Sequence, residues 1–201
     1  MDISVENISK RYTTGWVIKD FSFDIKSKNN IAITGPNGSG KSTLVQILSG
    51  YLSYTKGNVI YKHKGKSIGR DNIHLYTAFS AAYGELDEEF TPVEIYEHYS
   101  MFKKYMTKDK NEFLDLVDLR RERNQYISSF SSGMKQRLSL ALACCMDVPL
   151  LILDEPTSFL DEQRKAWYHD IIEKYTQDKT VLIASNDPMD YNSCQELISI
   201  S

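Results

Sequence analysis

Apolar and polar positions change their period along the chain, and each change marks an element. Residues 3–9 and 17–25 read as strands. In the second, Phe21, Phe23 and Ile25 share one face, and Ser22 and Asp24 the other. Ile31-Ala32-Ile33-Thr34 is a short apolar, β-like run. Leu44, Val45, Ile47 and Leu48 then recur at helical spacing, and Gly50 ends that helix. A β-rich stretch over 57–61, a basic loop with Lys62, Lys64, Lys66 and Arg70, and a strand over 73–79 follow. Thr91-Pro92-Val93-Glu94 opens a helix expected to run to about Tyr105, with Thr91 as cap, Pro92 at the first helical position and Glu94 closing a capping box. A second helix is expected over about 107–119, burying Phe113, Leu114, Leu116 and Val117. Residues 130–137 open a third, which continues through Leu138, Leu140, Leu142 and Ala143.

Leu150-Leu151-Ile152-Leu153 is apolar without alternation, as in a parallel strand covered on both faces. Asp161 is a good cap for a helix to about Tyr175, residues 180–184 form another buried strand, and residues 196–201 a last one. The pattern predicts an α/β core with an antiparallel β portion near the N-terminus. A helical subdomain at about 91–145 is inserted into a single domain spanning 1–201.

One stretch carries explicit chemistry. Gly35-Pro36-Asn37-Gly38-Ser39-Gly40-Lys41-Ser42-Thr43 lies between the short strand and the first helix. That is the spacing and context of a phosphate-binding loop. Its glycines let successive N–H groups point at one centre, and the following helix adds its positive end. Lys41 supplies a charge for the β- and γ-phosphates, and Ser42 a hydroxyl for Mg²⁺. Asp154, after the apolar strand, is expected to hold Mg²⁺ from the other side. Glu155 follows as the candidate base that aligns a water against the γ-phosphate. The reaction class is ATP hydrolysis or phosphoryl transfer. Tyr12 is either one more aromatic at a strand end or a platform for a nucleotide base.

Composition narrows the classes. A net charge of -3 argues against nucleic acid as the main partner. Apolar runs fall far short of the roughly 20 residues of a membrane span, and the first residues lack the basic and apolar regions of a signal peptide. Cys144, Cys145 and Cys194 form no disulfide framework and read as buried, reduced thiols.

Together these residues resemble the nucleotide-binding (ATPase) subunit of an ATP-binding cassette (ABC) transporter, over nearly the whole chain. Gly35–Thr43 is similar to the family's Walker A motif, and Leu150–Glu155 to its Walker B strand. Ser158-Phe159-Leu160-Asp161 resembles its D-loop, and Phe130-Ser131-Ser132-Gly133-Met134 occupies the place of its signature. The resemblance implies a P-loop NTPase core of ABC type. It also implies adenine stacking on Tyr12, and Ser131, Gly133 and Asp161 meeting ATP bound to a second subunit. Two copies, or this chain and a paralogous cassette, would close head to tail over two ATP. The subunit would power a membrane-spanning permease from the cytoplasmic face of the cell membrane. A soluble cassette outside transport, or a slow nucleotide sensor, is the alternative.

Three departures point to slow hydrolysis. Ser132 and Met134 replace a Gly and a Gln of the signature. No Gln lies between Gln46 and Gln125, so the Gln-loop ligand, expected near Ala81-Ala82, is missing or replaced by Ser80 or Glu85. Asn186 stands where the family places its switch His and offers one neutral donor to the γ-phosphate. Tyr83, Leu86 and Phe90 are expected either to dock the permease or to pack within the helical subdomain.

Overall fold

The computed structural model describes residues 1–82 and 86–201. Strands β1 (Asp2–Tyr12) and β2 (Gly15–Ile25) form an antiparallel hairpin. Tyr12 pairs with Gly15 across a two-residue turn, so both strands run further toward each other than the expected 3–9 and 17–25. β3 (Asn30–Thr34) leads through the phosphate-loop motif into helix α1 (Lys41–Leu48). β4 (Lys56–His63) and β5 (Lys66–Ile68) pair antiparallel. The expected basic loop is therefore a hairpin, with Lys64 at its tip in the left-handed region (φ 49°). A 3₁₀ turn, Arg70–Leu75, takes the first part of the strand expected at 73–79, and β6 begins only at Thr77 (Thr77–Ala81).

Helix α2 (Pro92–Ser100) carries the full capping box: Thr91 accepts from the Glu94 N–H, and Glu94 from the Thr91 N–H. It stops five residues short of expectation. Residues 104–106 pair instead with 145–147, through Asp147 N–H to Lys104 O, Met106 N–H to Cys145 O and a Tyr105–Met146 bridge. The backbone bonds that would extend the helix are spent there. α3 (Lys110–Leu116) is capped by Asp109 and buries Phe113 and Leu114, with Val117 at its end. α4 (Ser132–Cys144) is capped by Ser131, and α5 (Glu162–Tyr175) by Asp161. Between them runs β7 (Leu150–Asp154), buried at every position. β8 (Thr180–Ala184), a one-turn helix α6 (Pro188–Tyr191) and β9 (Glu196–Ser199) complete the chain. α6 follows an Asp187 cap and Pro188 at the first helical position, the same signal that opens α2.

The strands form two sheets, ordered β2-β1-β4-β5 and β6-β7-β8-β3-β9. β8 lies parallel to both β7 and β3, and β9 parallel to β3. One apolar cluster joins α1 (Leu44, Val45, Ile47, Leu48) to the second sheet (Ile31, Ile33, Leu150, Ile152, Leu182) and the first (Ile3, Val5, Ile8, Val59). The chain divides into two compact units. The first comprises Met1–Phe79, Val148–Glu155 and Asp178–Ser201, and the second Ser80–Asp147 and Pro156–Gln177. The second unit thus takes up 156–177 in addition to the helical region seen in the sequence. No helix among the described residues is long and apolar enough to cross a membrane. None of the three cysteines is in a disulfide, and burial pushes the Cys194 thiol up to about 12.

The capping box makes a measurable claim. Thr91→Ala is expected to cost about 1 kcal/mol of stability by urea denaturation; an unchanged midpoint would remove the cap from the account. The Glu94 carboxyl lies below its ordinary range because the Thr91 backbone N–H and hydroxyl bond to it. Its contribution is therefore present above the unfolded pKa and is lost as pH falls through the lower folded value.

Candidate nucleotide site

Strand register levels three chain ends along one edge of the parallel sheet. Ala184 pairs with Ile33 on one side and Asp154 on the other. The phosphate-loop motif, Ser185-Asn186 and Glu155 consequently leave neighbouring strands side by side, at the edge where open α/β sheets bind ligands. Ser185 N–H donates to Ile33 O (3.2 Å) and Glu155 N–H to Ala184 O (2.8 Å), which stitches the three ends together.

The loop has little freedom to be other than it is. A Cβ on Gly35 would lie 2.1 Å from the Ile200 carbonyl oxygen. At Gly40 (φ +101°) it would lie 3.0 Å from Val17 Cγ1. The second contact brings β2 of the β1–β2 hairpin against the loop. Tyr12 is 41% exposed, with Lys10 Nζ 5.0 Å from its ring centroid. No side chain caps α1 at Gly40, so the first-turn N–H groups of this helix have no side-chain acceptor there. Lys41 is buried and donates to Gly35 O (2.8 Å) and Pro36 O (3.4 Å), and Ser39 Oγ is buried without a hydrogen-bond partner. An ammonium held by carbonyls alone and an orphan hydroxyl suit a loop built for a polyanion.

Asp154 faces the loop. Ser42 Oγ donates to Asp154 Oδ1 at 3.1 Å. Burial raises the Asp154 carboxyl, while Ser42 and Lys41 pull it down. Burial also raises Glu155; Lys41 opposes, and Asp154 and Asp190 add to the rise. One carboxylate and one hydroxyl fit Mg²⁺, a hard ion that keeps the rest of its shell for water and phosphate oxygens. Among the described residues no set of three metal-ligating side chains competes for such an ion. Glu155 adopts φ 50°, the left-handed region rare outside glycine, at the point where its side chain must leave the strand edge. Asn186 Nδ2 donates to Asn37 Oδ1 (2.8 Å), so the candidate switch residue is engaged with the loop itself.

Ser131, Gly133 and Asp161 belong to the second unit. Ser131 Oγ accepts from the Met134 N–H. Gly133 passes so close to the Phe159 carbonyl that a Cβ would lie 3.3 Å from it. Asp161 accepts from the Arg164 N–H and pairs with its guanidinium (2.8 Å). Ser80, a candidate stand-in for the missing Gln, is buried with its hydroxyl 2.9 Å from Ser139 Oγ. Glu85, the other candidate, and Tyr83 lie outside the described residues. Phe90 packs its ring against His98. Sequence reasoning passed over Ser185, buried at the end of β8, and Asp190, buried in α6. The Asp187-Pro188 capping signal marks that helix and was the available clue.

The family model described as "ABC transporter" matches residues 18–158. The chain belongs to the ABC transporter family. It is 32% identical over 178 residues to "ABC transporter A family member 8" of Dictyostelium discoideum, covering 85% of this chain and 21% of that protein. It is 28% identical over 207 residues to a "Probable metal transport system ATP-binding protein" of Thermotoga maritima, covering 99% of this chain and 81% of that one. The chain therefore spans about a fifth of the first relative's length and most of the second's. A dimeric ATP-binding cassette solved in a post-hydrolysis state with ADP and Pi superposes with a TM-score of 0.84, at 23% identity over 99% of this chain and 94% of that one. The fold of this chain is thus that of an ABC ATPase cassette.

The loop geometry sets a direct test. Gly40→Ala adds a Cβ at positive φ against Val17 and is expected to destabilise by more than about 1 kcal/mol while weakening ATP binding. Melting and nucleotide affinity equal to wild type would show that the loop does not need this backbone.

Proposed function

We propose that the chain is the ATP-hydrolysing cassette of a membrane transporter, working as a dimer with ATP between its copies or with a paralogous cassette. The observation that carries this is the Ser42 Oγ–Asp154 Oδ1 contact of 3.1 Å, which ties the phosphate-loop helix to the carboxylate strand, with Lys41 beside it and Glu155 next along. Lys41 and the loop N–H groups hold the β- and γ-phosphates in place. Tyr12 supplies a stacking face for the base. Mg²⁺, held by Ser42 and Asp154, would neutralise charge on the phosphate oxygens. Glu155 takes a proton from water as the water oxygen bonds to the γ-phosphorus. The bond to the bridging oxygen breaks, and its electron pair stays with ADP. Ser131, Gly133 and Asp161, which belong to the second unit, would meet the nucleotide of a partner copy.

Hydrolysis is slow in this reading, because Asn186 cannot become a cation. Glu155→Gln is expected to lower turnover by about 10²–10⁴, and Asn186→His to raise it. Equal turnover of wild type and Glu155→Gln, with the membrane partner present, would sink the hydrolytic reading. A fall on Asn186→His would show a pocket built around Asn.

The second unit offers the permease an apolar face. Phe102 is 69% exposed and Met101 71%, beside the His98–Phe90 ring pair, and Leu86 lies just before that segment. Leu86→Ala combined with Phe102→Ala is expected to weaken recruitment to permease-containing membranes and to spare ATP binding. Unchanged recruitment would refute this docking face.

A further inference from the structure

Two helices of the second unit start close together. Gly133 is in the first turn of α4, and a Cβ there would lie 3.3 Å from the carbonyl oxygen of Phe159, two residues ahead of the α5 cap. Ser131 accepts from the Met134 N–H, which leaves the Ser132 and Gly133 N–H groups without an intrahelical acceptor. The positive ends of both helices favour an acidic side chain at such a place. The chain puts an arginine there instead. Arg164, in the first turn of α5, reaches back until its Nη1 is 3.6 Å from where a Gly133 Cβ would be. Arg137 is one turn on from Gly133 along the same face of α4, where side chains lean toward the helix start. It is 8% exposed, its Nε is buried without a hydrogen-bond partner, and its Nη1 is 3.7 Å from Asp118 Oδ2. Burial lowers the pKa of the Arg137 guanidinium, and the nearby charge of Arg164 adds to the fall.

We propose that Arg164 is a binding residue for the terminal phosphate of ATP held in the phosphate loop of a partner copy. Two helix starts and two guanidiniums face only Asp161 and Asp118, a surplus of positive charge that a polyphosphate would balance. The Arg164 guanidinium is paired with Asp161 at 2.8 Å, yet its side chain is 40% exposed and open to an incoming anion. Its planar fork suits two phosphate oxygens at once. The proposal rests on the dimeric reading above, in which Gly133 and Asp161 meet the partner's nucleotide. Arg164 touches both of their positions and brings the one full charge that neither supplies. It also gives the site a cation that Asn186 cannot become.

The test redistributes the same substitutions between two copies. All copies carry Glu155→Gln, so that the ATP-bound dimer persists, and association in ATP is measured by analytical ultracentrifugation with one labelled copy at trace concentration. In the first pair the labelled copy carries Arg164→Ala and the titrated copy Lys41→Ala. In the second pair the labelled copy carries neither, and the titrated copy carries both. Only the first pair sets an intact phosphate loop against an intact Arg164, so it is expected to associate about tenfold more tightly. Arg164→Gln, which keeps a donor toward Asp161 without the charge, replaces Arg164→Ala if that variant melts below wild type, and the same order is expected. A tighter second pair would place the action of Arg164 within its own copy, and equal pairs would reduce it to a support of its own unit; either overturns the proposal alone. No ATP-driven association between two copies that carry only Glu155→Gln would overturn the dimeric reading, and this proposal with it.

Discussion

Leu150 to Leu153 cover β7 with apolar neighbours on both faces, and the strand then delivers two carboxylates to its end. Burial pushes both upward, and two such groups side by side are tolerable only with positive charge or hydrogen-bond donors close by. The surroundings answer that constraint. Lys41 and Ser42 come from the helix after β3, while the Ser185 hydroxyl follows the strand between. The level register of Ile33, Ala184 and Asp154 brings donors and acids to the same height. A one-residue slip would turn each of these side chains to the opposite face of the sheet.

The same edge explains a division of labour between the compact units. The first holds the phosphate-loop motif, Asp154 and Glu155. The second holds Ser131 at the head of α4, the close approach of Gly133 to the Phe159 carbonyl, and the Asp161–Arg164 pair at the head of α5. Two helix caps and a tight backbone crossing thus lie within that unit.

Much of this was legible in the chain because the signals are local. β7, β8 and α5 follow from unbroken apolar runs and one capping Asp, and the phosphate loop from nine consecutive residues. The misreadings have non-local causes. α2 ends at Ser100 because residues 104–106 find strand-like partners forty residues away, which no periodicity announces. Lys62, Lys64 and Lys66 look like a solvated loop, yet β4 pairs with β1 and gives β5 an edge to bind. In the site, Asn186 bonds to Asn37 of the phosphate loop, a contact across 149 positions that no local pattern announces. Ser185 and Asp190 gain meaning only through burial, and a buried polar residue looks like any other until its neighbours are known.

The contact of Gly35 with Ile200 has an implication for the order in which the protein is made. The Ile200 N–H donates to Thr34 O, and its carbonyl oxygen sits where a Gly35 side chain would begin. β9 also flanks β3, the strand that carries the loop. The phosphate loop thus leaves the ribosome long before the segment that supports it. A growing chain would present its nucleotide motif long before it had a floor beneath it. The loop would then gain its full support only once β9 is in place beside β3.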